Sequence, residues 1–192
     1  MLAALRLSVP QPILFTIGHS THTSEEFIAL LNTHGVRHLV DVRSIPKSRH
    51  VPHFNSESLA ESLRAAGISY THLKDLGGRR HSRKDSINTG WRSAAFRGYA
   101  DYMATTQFAK GLEDLIQTGR TMPTAIMCAE AVPWRCHRSL ISDALMLKGW
   151  EVRDIISSAP ASEHKLTPFL IALKSKPTYP DPNKSASLFN EG

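Results

Sequence analysis

The sequence contains nothing near the roughly 18 consecutive apolar residues that a membrane-spanning helix requires, so no membrane partner is expected. It has only two cysteines, Cys128 and Cys136, and they do not form a Cys-x-x-Cys pair. That excludes a disulfide framework and the commonest structural zinc pattern. Residues 1–12 hold an apolar run broken by Arg6, without a basic n-region or a long h-region. They read as a frayed N-terminus rather than a signal peptide. Reduced thiols and a cytoplasmic location follow as expectations, with any Cys128–Cys136 bond transient. There is no internal repeat. Composition is unbiased too: 41% hydrophobic and 21% charged residues are ordinary for a globular protein.

What is present fits one domain of about 150 residues, long enough to bury a sizeable core. The net charge of +6 is unevenly spread: between Arg37 and Arg97 stand 12 Lys and Arg against 5 Asp and Glu, and the remainder is almost balanced. Such a block marks either a phosphate-bearing or nucleic-acid partner or a solvated face.

Apolar runs and helical stripes alternate along the chain. Ile13 to Ile17, Val36 to Val42, Ile68 to Leu73, Thr124 to Met127 and Trp150 to Ile156 read as strands. Helices are expected after Ser24 as cap, after Asn55 or Ser56, over Phe96 to Thr105 and Gln107 to Thr118, and from Ser139, with Gly35 and Gly67 as stops. Asp75 to Ala95 is a long loop of the kind that is functional or disordered. The fold class is therefore α/β, a mainly parallel sheet of about five strands with flanking helices in a Rossmann-like layered architecture. A single domain is expected over 13–157, followed at 158–192 by a Pro-containing polar tail in which Leu166 to Leu173 packs as a short helix.

Ligands of such sheets bind at the carboxyl ends of the strands. Those ends carry His19 and Ser20, Asp41 and Arg43, and Cys128 and Glu130, and the loop after Cys128 adds Arg135, Cys136, His137 and Arg138 before a helix. A helix N-terminus favours anions and thiolates. Several readings stay open. A thiolate at Cys128 suits phosphatase or sulfurtransferase chemistry, but six residues separate it from Arg135 where a phosphatase loop has five. Zinc on Cys128, Cys136 and His137, with Glu130 or His19, is the alternative, weakened because neighbouring Cys136 and His137 at a helix start tend to diverge. Inert buried cysteines are the third reading. Glu130 and Asp41 are candidate acid–base groups, or structural partners of Arg138 and Arg43. The leading expectation is an anion cleft in which Arg43, Arg79, Arg138, His137 and Ser20 hold a phosphate-bearing small molecule or nucleic acid. Glu130, Asp41, His19 and Cys128 would then do the chemistry, without a resident metal or other cofactor.

The motifs TIGHS (Thr16 to Ser20), LVDVRSIPKS (Leu39 to Ser48), LGGRR (Leu76 to Arg80), GYADYM (Gly98 to Met103) and MCAEAVPWRCHRSLISDAL (Met127 to Leu145) together resemble the domain of unknown function 488 family. The resemblance runs in order over about Ile13 to Ile156 and implies a bacterial-type cytosolic α/β protein. Its implied signature residues include His19, Ser20, Asp41, Arg43, Arg79, Tyr99, Cys128, Glu130, Cys136, His137 and Arg138. It implies no particular reaction.

Overall fold

Strand β1 (Ile13–Gly18) is the hub, because its alternating side chains are covered on both faces. The computed structural model describes residues 12–173 and 176–183. Residues 1–11 of the frayed N-terminus expected over 1–12, and residues 174, 175 and 184–192 of the tail expected over 158–192, lie outside the described residues. Thr23, rather than the expected Ser24, caps helix α1 (Ser24–Thr33): its hydroxyl accepts from Glu26 N while the Glu26 carboxylate accepts from Thr23 N, a reciprocal capping box. Gly35 ends the helix at φ +68°.

Strand β2 (His38–Asp41), helix α2 (Ser56–Ala65) and strand β3 (Ser69–His72) follow. Asn55 occupies the cap position of α2, but its side chain instead accepts from Ser48 N at 2.7 Å, ordering the basic loop after β2. Helices α3 (Ala94–Tyr102) and α4 (Thr106–Thr121) lead to β4 (Thr124–Cys128), and α5 (Arg138–Leu147) leads to β5 (Glu151–Ile155).

The strand order is β3-β2-β4-β1-β5, all parallel, extended by the short antiparallel edge β6 (Ser162–Glu163). Two cores lie on opposite faces of this sheet. Leu39, Ala125, Met127 and Ile155 pack with Phe27, Leu31, Leu59 and Leu63 of α1 and α2. Val40, Ile126 and Val152 pack with Leu112, Leu115, Leu140 and Ile141 of α4 and α5. The period of two along each strand thus yields the three-layer Rossmann-like arrangement.

The chain leaves β1 through α1 on one face and leaves the adjacent β4 through α5 on the other. The loops after β1 and β4 therefore part company and open a crevice at the sheet's carboxyl edge. Below it the backbones are stitched together, His19 N donating to Cys128 O and Ser20 N to Ala129 O, both at 2.9 Å.

The described residues after 157 are more structured than their composition suggests. Leu166 to Leu173 forms no helix; strand β7 (Ile171–Leu173) pairs with β8 (Lys176–Thr178) in a hairpin, and Tyr179 beyond it is fully buried. No helix among the described residues is long and apolar enough to cross a membrane.

Candidate active-site cleft

The loops after β1, β2 and β4 and the segment 78–99 enclose a cleft of about 380 Å³. His19, Arg43, Arg79, Cys128, Glu130 and His137 of the expected set line it, with Lys47, Arg135 and Cys136. Asp41, Ser20 and Arg138 are not among the lining residues.

Asp41 is fully buried and works on Arg43. Arg43 Nε donates to both carboxylate oxygens at 2.9 and 3.1 Å, Nη2 adds a further bond, and Arg43 N and Tyr70 Oη donate as well. With its acceptor sites so filled, Asp41 holds Arg43 rather than moving a proton. Burial opposes the Arg43 charge, but the Asp41 hydrogen bonds and charge outweigh it and raise the guanidinium further. Arg43 Nη2 also donates to Phe54 O at 2.8 Å, and Nη1 lies 3.3 Å from His19 Nε2.

That last contact fixes the His19 tautomer. Nδ1 faces the carbonyl of Ser20 at 3.0 Å and donates to it, leaving Nε2 as acceptor from Arg43. Burial, then the Arg43 charge, lowers the His19 pKa to about 4, and the ring stacks on Phe54 at 4.3 Å. It is a neutral imidazole whose lone pair is engaged.

Arg138 was expected to hold an anion, yet its side chain is wholly buried behind the loop. Nη2 donates to Glu130 O at 2.6 Å and Nη1 to Thr16 Oγ1 at 3.1 Å. It shapes the loop that presents Glu130. Gly18 makes this approach feasible, since a β-carbon there would collide with the Glu130 carbonyl. The Glu130 carboxylate itself is exposed in the cleft and has no side-chain partner among the described residues. Ser20 turns the chain out of β1 at φ +48°.

The cations available to a ligand are those on the rim. Lys47, Arg79 and Arg135 are exposed and make no side-chain hydrogen bond among the described residues. Arg79 sits in the left-handed region at φ +51°, unusual for a residue with a β-carbon. Lys47 and Arg135 line the cleft although neither was among the anion-binding residues expected from the sequence. The signal was there, in the basic loop after β2 and in the neighbour of Cys136, but nothing local marks which cation stays solvated.

Both cysteines and His137 converge on the cleft floor. His137 Nδ1 lies 3.6 Å from Cys136 Sγ and 4.0 Å from Cys128 Sγ, and the three donor atoms fall within 4.8 Å of one another. The expected divergence of Cys136 and His137 does not occur. A 3₁₀ turn at Pro133–Arg135 brings Cys136 back with an extended backbone, and His137 then turns into the start of α5. His137 Nε2 donates to Val42 O at 2.9 Å, so Nδ1 carries the lone pair and no ring N–H remains to hold an anion. The hydrogen bond between the sulfurs lowers the Cys136 thiol and raises that of Cys128, and burial adds to the Cys128 rise. Gly78 lies against the same ring: a β-carbon there would come 2.9 Å from Nδ1.

The fold and site define a parallel α/β protein with a cationic cleft over a thiol–imidazole floor at the switch point of its sheet. The chain belongs to the family described as domain of unknown function DUF488, whose family model matches residues 23–145. That match includes every cleft residue named above except His19. No curated protein and no solved structure matches the chain.

Proposed function

We propose that this cleft is an enzyme-type site for a phosphate-bearing small molecule. One observation carries the reading: three solvated cations, Lys47, Arg79 and Arg135, and the buried, oriented Arg43 line the same cleft as a single carboxylate, Glu130, and the Cys128, Cys136 and His137 side chains. Arg43 is held in place before any ligand arrives, which lowers the cost of organising charge at the site. Glu130 is the acid–base group, since Asp41 is committed to Arg43. The thiols of the floor function in reduced form, which suits a cytoplasmic protein.

Calorimetric titration with inorganic phosphate and pyrophosphate at low salt is the test. Saturable binding is expected, weakened about tenfold by each of Lys47→Ala, Arg79→Ala and Arg135→Ala, the loss of one charge-assisted hydrogen bond of about 1.5 kcal/mol. Absent saturation, or wild-type affinity in all three variants, rejects the reading.

A non-catalytic nucleic-acid-binding module is the second reading, favoured by Trp134, which is 66% exposed beside Arg135 and so available for base stacking. Retention on single-stranded DNA or RNA that weakens steeply with salt, and is unchanged by Cys128→Ala and Glu130→Ala, would put this module in place of the enzyme.

A further inference from the structure

We infer that Cys128, Cys136 and His137 form a zinc site with three protein ligands and a fourth position facing the cleft. The inference rests on the cleft reading above for the role of that fourth position, but the metal site stands on its own geometry. Zinc bonds of about 2.3 Å to sulfur and about 2.0 Å to nitrogen, at tetrahedral angles, place a sulfur and a nitrogen ligand about 3.5 Å apart. The Sγ–Nδ1 distances are 3.6 and 4.0 Å. Those two pairs need to close by half an ångström at most, and the sulfurs, which lie within 4.8 Å of each other, by no more than about 1 Å to reach the roughly 3.8 Å of two thiolates on one tetrahedral zinc.

The imidazole is already set for this. Its Nε2–H bond to Val42 O is the outer hydrogen bond that metal-bound histidines use to fix ring orientation and tautomer. Tyr99 packs beside the ring at 4.9 Å between centroids, further restricting it. Gly78 keeps a β-carbon away from the Nδ1 side.

The cluster spans two elements that the fold locks together. Cys128 ends the fully buried strand β4, while Cys136 and His137 precede α5. Two thiolates and a neutral imidazole suit zinc over the hard cations, which prefer oxygen. Three protein ligands with the next position open is the arrangement of catalytic rather than structural zinc. No fourth Cys or His joins the cluster among the described residues. All three ligands line the cleft, so the open position is available to water or to an oxygen of the anionic ligand. Bound zinc would also add positive charge beneath Arg79 and Arg135.

The test uses the full-length reduced protein, stripped with a chelator and titrated with Co²⁺ and then Zn²⁺ under anaerobic conditions. One equivalent of Co²⁺ should produce the intense thiolate-to-cobalt absorption and the visible bands of a tetrahedral site, both abolished by one equivalent of Zn²⁺. Cys128→Ser and Cys136→Ser should each lose or strongly reduce the sulfur absorption. Circular dichroism verifies that the variants fold, and if one does not, protection of both thiols from alkylation by Zn²⁺ in the wild-type chain gives the same answer. A wild-type protein without the sulfur-to-cobalt absorption overturns the site. So does absorption untouched in both folded variants, or thiols alkylated equally fast with and without Zn²⁺. Phosphate titration of the metal-free protein separates the two proposals. Phosphate binding without cobalt uptake removes the zinc site and leaves the cleft reading standing, whereas cobalt uptake without phosphate binding does the reverse.

Discussion

Asp41 illustrates how a single residue changes role when its surroundings are known. A carboxylate at a strand's end reads as an acid–base candidate, yet here it is desolvated, bidentate to Arg43 and bonded to Tyr70. Removing one member of a buried ion pair strands the other charge, which costs about 3–5 kcal/mol. Asp41→Asn should therefore lower stability by that amount in urea denaturation, whereas Tyr70→Phe, which removes one hydrogen bond, should cost about 1 kcal/mol. Equal, small effects of both would mean that Arg43 finds another partner. Arg138 makes the complementary point: its charge is spent on backbone carbonyls and Thr16, with Nε buried and lacking a hydrogen-bond partner. Of the two carboxylates, only Glu130 is solvent-exposed and belongs to a residue that lines the cleft, which is why the proposed acid–base role falls to it.

At the scale of elements, the site depends on how strands end. Strand β1 stops at Gly18, whose missing side chain lets the Glu130 carbonyl lie against it while Arg138 grips that carbonyl from the other side. Gly18→Ala forces the loop to move and should destabilise the protein by about 3 kcal/mol, the upper part of the usual overpacking range. It should also disturb the cleft more than its distance from the floor suggests, read as weakened phosphate binding in the folded fraction. The stretch 75–95 is the second element of interest. Its length marked it as functional or disordered, and it proves ordered by the Asp101 carboxylate, which accepts from Arg83 N, Ser86 Oγ and Asn88 Nδ2. Order so dependent on one acceptor from a later helix leaves little trace in the loop's own composition.

Across the whole molecule, one buried polar chain ties the cleft loop to the C-terminal segment. Arg138 and Asp154 meet at Thr16, His164 bridges Asp154 and Asp143, and Asp143 accepts from Thr167 and Tyr179. Burial disfavours charge on His164, but the Asp143 carboxylate 3.6 Å from Nε2 and the hydrogen bond from Nδ1 to Asp154 at 3.1 Å prevail and raise its pKa from 6.5 to about 9. A raised folded-state pKa stabilises fully below the unfolded value, and that contribution fades as pH rises through the folded one. Stability should thus fall between about pH 6.5 and 9, by on the order of 3 kcal/mol. His164→Gln should flatten the profile in that window; an unchanged slope in thermal or urea denaturation would refute the charged bridge. The same network explains why 158–173 and 176–183 are not a loose tail: His164 and Tyr179 are single buried anchors in a polar, Pro-containing stretch, too sparse to register as a pattern. By itself the sequence determined the β–α alternation, the parallel sheet and the strand ends where reactive groups gather, because burial on one or two faces imprints a local period on the chain. Only the tertiary structure decided the strand order, which arginines are sealed inside and which stay in water, and the meeting of Cys128, Cys136 and His137. Desolvation and side-chain convergence depend on partners up to 138 positions away, as between Thr16 and Asp154, and no local period records them.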